Sequence, residues 1–261
     1  MHILPASVIK LILSSPHFSF PQGAVANEEI GLRWIHFVAG IIWIGLLYFF
    51  NLVGFPTMKQ LEPPVRGRVF PVLMARAMWW FRWSALVTVL VGLRYFYILL
   101  SASAQNAGDA SLALRWFFVW LAVWLAAYAV IYPLQLPAKG ALGNSWFRSI
   151  AIAAVVIAAS WGILELNATP QSSNADLAIS IGGGLGLLMF LNTWGVVWRV
   201  QKRLIAWTRA SVEEGQPMPA EAERMARWSL CASCVGFWLS FPMLFFMGAA
   251  EHYPFLSGLM R

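Results

Sequence analysis

Six runs of strongly apolar residues alternate with shorter polar or charged stretches along the 261-residue chain. Roughly 20 apolar residues in helical form cross a bilayer core. The runs therefore predict membrane helices near residues 30–54, 79–101, 113–135, 147–166, 177–200 and 228–250. None shows the two-residue alternation of a membrane β-strand, and no internal repeat is evident. The expected fold is all-α: a polytopic integral membrane bundle of six helices, formed by residues 30–261 as one domain. Residues 1–29 are expected to be a tail on the outer surface. Its apolar stretch, Val8 to Leu13, is too short to span and is interrupted by Lys10. Ala24-Val25-Ala26 resembles a signal-peptidase site, but Pro5 and Lys10 break the apolar region before it, so the tail is expected to stay uncleaved.

Composition sharpens this reading. The chain is 60% hydrophobic and 11% charged, against about 25% charged in soluble domains, and its mean hydropathy is +0.67. Many of the 15 Trp and 18 Phe stand at the ends of the apolar runs, where amphipathic rings favour the headgroup level. Membrane lipid is thus an expected partner. The net charge of +7 does not call for nucleic acid, because it comes from a few loops. Loop 55–78 carries Lys59, Arg66, Arg68 and Arg76; loop 136–146 carries Lys139; loop 201–227 carries Lys202, Arg203, Arg209, Arg224 and Arg227. The loops near 102–112 and 167–176 hold only Asp109 and Asp176. The positive-inside rule places the basic loops in the cytoplasm and both termini on the periplasmic side of a bacterial inner membrane.

Within that frame a few polar residues stand out. His36 lies seven residues into the first run, roughly 10 Å deep at 1.5 Å per residue. An ionisable side chain there is costly unless something engages it. Gly40 is one turn along on the same face and leaves room for a bulky partner. Three readings of His36 stay open: an axial haem ligand, a metal or quinone contact, or a histidine hydrogen-bonded to a neighbouring helix. Arg94 sits two turns before the second helix ends, with Arg33 and Arg115 at the same side. Arginine pairs with carboxylates such as haem propionates, although Arg33 and Arg115 can also snorkel to water. His252, the second candidate ligand, is at the water boundary after the last helix, and His2 and His17 lie in the tail. His36 is deeper than His252 by about 10 Å, which argues against a simple bis-histidine pair unless the last helix tilts. Met243 and Met247 are one turn apart, a spacing that suits copper(I) or plain packing. Cys231 and Cys234 are read as small packing residues. Gly182, Gly183, Gly184 and Gly186 favour close helix approach. Asn192 is expected to bond to a neighbouring helix, and Pro242 to kink the sixth helix.

The residues also resemble a known family. Leu32 to Asn51 (LRWIHFVAGIIWIGLLYFFN), Ala75 to Ala85 (ARAMWWFRWSA), Met189 to Arg203 (MFLNTWGVVWRVQKR) and Ser240 to Pro254 (SFPMLFFMGAAEHYP) are similar to the urate oxidase N-terminal domain family. That family forms the membrane part of bacterial membrane-bound urate dehydrogenases. Residues 100–180 share only its hydropathy. The resemblance implies redox work, with electrons taken by a c-type cytochrome domain that often follows the membrane part. This chain reaches Arg261 without a CxxCH haem-attachment motif. A separate periplasmic cytochrome c is therefore the expected acceptor. No flavin fingerprint is present. On the outer side Arg94, Glu165 and Asn167 are too few to define a urate site. The expected function is a membrane redox subunit that binds haem b through His36, with Gly40, Arg94 and His252 as the further candidate site residues. The alternative is a non-catalytic accessory subunit bound to other membrane subunits. Transport of copper ranks last, since no broken-helix pair is seen.

Overall fold

A computed structural model describes residues 22–137, 143–170, 172–256 and 258. The tail with His2 and His17, and the part of the second basic stretch containing Lys139, lie outside the described residues. Among the described residues the chain is helical, and six helices are long and apolar enough to cross a membrane. We label them α1 (Ala24–Gln60), α2 (Pro63–Asn106), α3 (Leu112–Leu134), α4 (Ser145–Asn167), α5 (Asn174–Glu213) and α6 (Ala222–Ala249). The chain is a multi-pass membrane protein. Every predicted span falls inside one of these helices to within one residue at its end.

Several helices run beyond the predicted limits. α1 begins at Ala24, inside the expected tail, after Gly23 with φ 135°. Residues 55–78, expected to be a loop, are helical except around Leu61 and Glu62. Residues 201–213, also assigned to a loop, continue α5. The reason is amphipathicity, which a search for apolar windows does not register. Pro71, Met74, Met78 and Phe81 recur on one face of α2 and are buried. Val200, Gln201, Leu204 and Ile205 recur on one face of the α5 extension and are buried as well. The two extensions pack together, so closely that a Cβ on Gly67 would stand 3.0 Å from Val212 Cγ2. At 1.5 Å per residue α2 is about 66 Å long, against a hydrocarbon core of about 30 Å. It must project well past the bilayer.

The helix ends follow from local chemistry. Ser173 and Asp176 form a reciprocal capping box at the start of α5, with Ser173 Oγ accepting from the Asp176 amide and the Asp176 carboxylate accepting from the Ser173 amide. The Asn144 side chain accepts from the Trp146 amide at the start of α4. Gly108 and Gly215, at φ 79° and 68°, turn the chain after α2 and α5. Between α2 and α3 the Asp109 carboxylate accepts from the Ser111 amide and hydroxyl, which holds its pKa below the ordinary carboxylate range.

α5 is the centre of the bundle. Of its apolar window 67% is buried, against 17% for α4. α6, α2 and α3 pack around it, and α1 packs on α2 and α6. Two π-helical segments interrupt the regular winding, Phe49–Gly54 in α1 and Thr193–Val197 in α5. Both lie against α6.

The bundle thus has two ends. The starts of α1, α3 and α5 and the finishes of α2, α4 and α6 make the histidine end. The opposite, basic end carries the helical extensions of α2 and α5.

Candidate functional site

His36 faces α2. Its Nδ1 lies 2.9 Å from the backbone carbonyl oxygen of Thr88. A carbonyl can only accept, so Nδ1 carries the proton and donates. In its neutral form the ring then keeps a lone pair on Nε2, which no described residue engages. Tautomer selection of this kind is how proteins orient ligand histidines.

The ring reaches that carbonyl because Gly92 is the residue one turn on from Thr88. In an α-helix the carbonyl of residue i is flanked by the side chain of residue i+4. A Cβ on Gly92 would stand 2.8 Å from His36 Cε1 and 3.0 Å from Nδ1. Glycine here opens a notch beside an already bonded carbonyl, whose second lone pair takes the imidazole N–H. Gly40 lies on the side of α1 that borders α2. A Cβ there would meet Thr88 Cγ2 at an ordinary 3.8 Å.

The same notch recurs through the bundle. Trp120 Nε1 and Trp124 Nε1 of α3 donate to the Ser180 carbonyl on α5, at 2.7 and 3.2 Å. Gly184, four residues on, lies directly under the Trp124 indole, with no space for a Cβ. Tyr128 Oη donates to the Leu191 carbonyl beside Gly195. Asn192 Nδ2 approaches the Ala232 carbonyl at 3.4 Å, with Gly236 four residues on. This last contact is the inter-helix bond expected of Asn192. Polar rings are thereby satisfied inside the apolar phase without a side-chain partner. His36 differs from the others in one respect, its second ring nitrogen.

Above His36, towards the histidine end, Arg33 and Arg94 are already paired, whereas Arg115, exposed at the start of α3, is in no ion pair among the described residues. Arg94 makes a two-pronged contact with Glu28, Nε to Oε1 at 2.6 Å and Nη2 to Oε2 at 3.0 Å. Arg33 donates to Glu251 Oε2 at 2.9 Å, and Tyr95 Oη donates to Oε1 of the same carboxylate at 3.3 Å. Three helix ends are tied together: Glu28 and Arg33 come from α1, Arg94 and Tyr95 from α2, and Glu251 from the end of α6. His252, next to Glu251, is exposed, and its amide bonds to the Ala249 carbonyl. No contact among the described residues joins its ring to His36. Asn167 Nδ2 donates to the Trp116 carbonyl within the bundle, and Glu165 is exposed.

The remaining candidates are packing residues. Met247 Cγ and the Met243 carbonyl oxygen crowd Gly182, at 3.3 and 3.4 Å from a would-be Cβ. Cys231 and Cys234 are free thiols, and Cys234 Sγ lies 3.5 Å from Asn51 Oδ1. Asn51 Nδ2 in turn donates to Ser233 Oγ at 2.9 Å, so the first π-helical segment is bonded to α6.

No family model, curated protein or solved structure matches the chain. The cofactor question therefore rests on the residues. Among the described residues no three His, Cys, Asp or Glu side chains gather as a metal-binding group. A bare ion would need such a group. A haem iron is already held by its porphyrin and needs only one or two protein ligands. His36 fits the single-ligand case through Nε2. Trp43, two turns along α1, has a buried indole N–H without a hydrogen-bond partner. The residues do not bring His36 and His252 together as a pair.

Sequence reasoning located His36, Arg33 and Arg94 but not their partners. Glu28 and Glu251 were detectable as acidic residues flanking the first and last apolar runs, on the arginine side. The Thr88 carbonyl carries no sequence signal. Gly92 does, as a glycine two residues before an intramembrane arginine.

Proposed function

We propose that the chain is a redox subunit of a bacterial cytoplasmic membrane. It holds haem b through Nε2 of His36 and passes electrons to a separate periplasmic carrier such as a c-type cytochrome. The observation that carries this reading is the Nδ1 bond to the Thr88 carbonyl, which leaves Nε2 as a lone-pair donor in the apolar phase. The resemblance to the urate oxidase N-terminal domain family supports the same class of activity. The basic loops support an orientation with the histidine end towards the periplasm.

A bound haem supplies one-electron transfer, tuned by its axial ligand and burial. The chain's own contribution is positional. The Thr88 carbonyl fixes the imidazole tautomer, and Gly92 sets its depth against α2. Arg33 and Arg94 bring positive charge to the same end, each balanced by a glutamate.

The test is a reduced-minus-oxidised absorption spectrum of the purified full chain. Soret and α bands are expected in the wild type and lost in His36→Ala. A wild-type protein without either band defeats the proposal.

A second reading, a non-catalytic accessory subunit of a larger membrane complex, is favoured by the recurring notch. Trp124 and Tyr128 use it as a packing device, and His36 can do the same. That reading expects partners to co-purify in mild detergent and no visible chromophore. A chain that purifies alone and monodisperse counts against it.

A further inference from the structure

The basic end carries a site that the redox reading does not use. On the α5 extension, Arg199, Lys202, Arg203 and Ala206 are exposed along one face, while the opposite face is buried against α2. Together with Trp198 and Trp207 these four residues line a groove of about 410 Å³. Behind Trp198 lies Arg82 of α2. Its guanidinium stacks 3.8 Å from the centre of the Trp198 ring and 5.2 Å from that of Trp83. Arg82 Nε is buried without a hydrogen-bond partner. The Trp194 indole donates to the Arg82 carbonyl at 3.0 Å and fixes that turn of α2.

The charges here are open. The ion pairs among the described residues are Arg33–Glu251, Arg94–Glu28, Arg209–Glu213 and Arg227–Glu223. None involves Arg82, Arg199, Lys202 or Arg203. We propose that this groove binds the phosphate of an anionic phospholipid headgroup. Arginine forks match phosphate oxygens two at a time, and lysine adds a point charge. Indoles favour the headgroup level, and juxtamembrane basic clusters are drawn to anionic leaflets. The two indoles and Ala206 give the groove apolar walls, which suit the glycerol and upper acyl chains of a lipid better than a free phosphate ion. The inference is independent of any cofactor at His36.

The experiment uses the full chain in mild detergent with equal mole fractions of phosphatidylglycerol and phosphatidylcholine. Retained lipid is read by native mass spectrometry. The wild type is expected to retain phosphatidylglycerol preferentially. Replacing Arg199, Lys202 and Arg203 by Gln should cut that preference by about fivefold for each charge removed. A control with Arg66, Arg68 and Arg224 replaced by Gln removes the same charge elsewhere and should retain the preference. The altered side chains are exposed, so both variants are expected to keep the wild-type elution volume. Arg82→Gln supplies a further reading, a smaller loss in the same direction. Equal losses in the groove variant and the control show diffuse charge attraction and overturn the site. An unchanged preference in the groove variant overturns it as well. Displacement of phosphatidylglycerol by millimolar inorganic phosphate assigns the groove to a soluble anion and overturns the lipid.

Discussion

The histidine end and the basic end treat charge at a membrane boundary in opposite ways. At the histidine end Arg33 and Arg94 each meet a glutamate from another helix. The charges close on the protein itself, and α1, α2 and α6 are held in register. At the basic end the pairs are local, Arg209 with Glu213 and Arg227 with Glu223, each within one helix turn. Arg82, Arg199, Lys202 and Arg203 are left open. Closed charge specifies how helices sit against each other. Open charge is addressed to the surroundings, here an anionic headgroup.

The largest expected effect breaks the closed end from beneath. Gly92→Ala places a Cβ 2.8 Å from the imidazole of His36 and forces the ring off the Thr88 carbonyl. Overpacking of this kind costs about 1–3 kcal/mol, read as a lowered thermal midpoint in detergent. Any haem band should fall with it. Gly40→Ala, whose Cβ would meet an ordinary 3.8 Å contact, should leave both nearly unchanged.

A smaller effect is expected from Glu251→Gln. It removes the carboxylate shared by Arg33 and Tyr95, groups exposed enough that the loss is about 1 kcal/mol or less. Raising the salt concentration should bring the wild type towards the variant. If salt leaves the difference intact, the pairing is not electrostatic and the comparison fails.

Smaller still is a pH effect in the loop after α2. The folded pKa of Asp109 is depressed by its Ser111 bonds. Its contribution is therefore complete above the ordinary carboxylate range and disappears as pH falls through the depressed value. Asp109→Asn should remove that acid-side slope from the thermal midpoint while leaving neutral-pH folding cooperative.

The smallest effect is assigned to the basic end. Arg227→Gln breaks an exposed pair within α6, and such pairs contribute about 0.3–0.5 kcal/mol. A stability loss as large as that of Gly92→Ala would erase the distinction between pairs that join helices and pairs within one turn.

Hydropathy located all six spans, since transfer of apolar residues into lipid depends on local composition. It missed the extensions of α2 and α5, where buried positions such as 71, 74, 204 and 205 share a helix with the charged residues Arg66, Arg68, Arg76, Lys202, Arg203 and Arg209, so that window averages are diluted. His36 was visible as a histidine in an apolar run, and Arg94 as a charge near a helix end. Their partners were not. Glu28 lies 66 residues from Arg94, and Glu251 lies 218 residues from Arg33. Gly40 was assigned clearance for a ligand, and in the structure its nearest neighbour is Thr88 of α2. The glycine that matters to the ring is Gly92, on the other helix.

Composition along the chain was enough to establish a six-helix membrane bundle with most of its basic residues gathered at one end, because burial of apolar surface in lipid adds up residue by residue. Which helix lies at the centre, which glutamate meets which arginine and which nitrogen of His36 stays free came from the packed bundle. Those outcomes depend on how each helix is rotated about its axis. They depend also on whether a backbone carbonyl has a glycine one turn away, so that a neighbouring ring can reach its second lone pair.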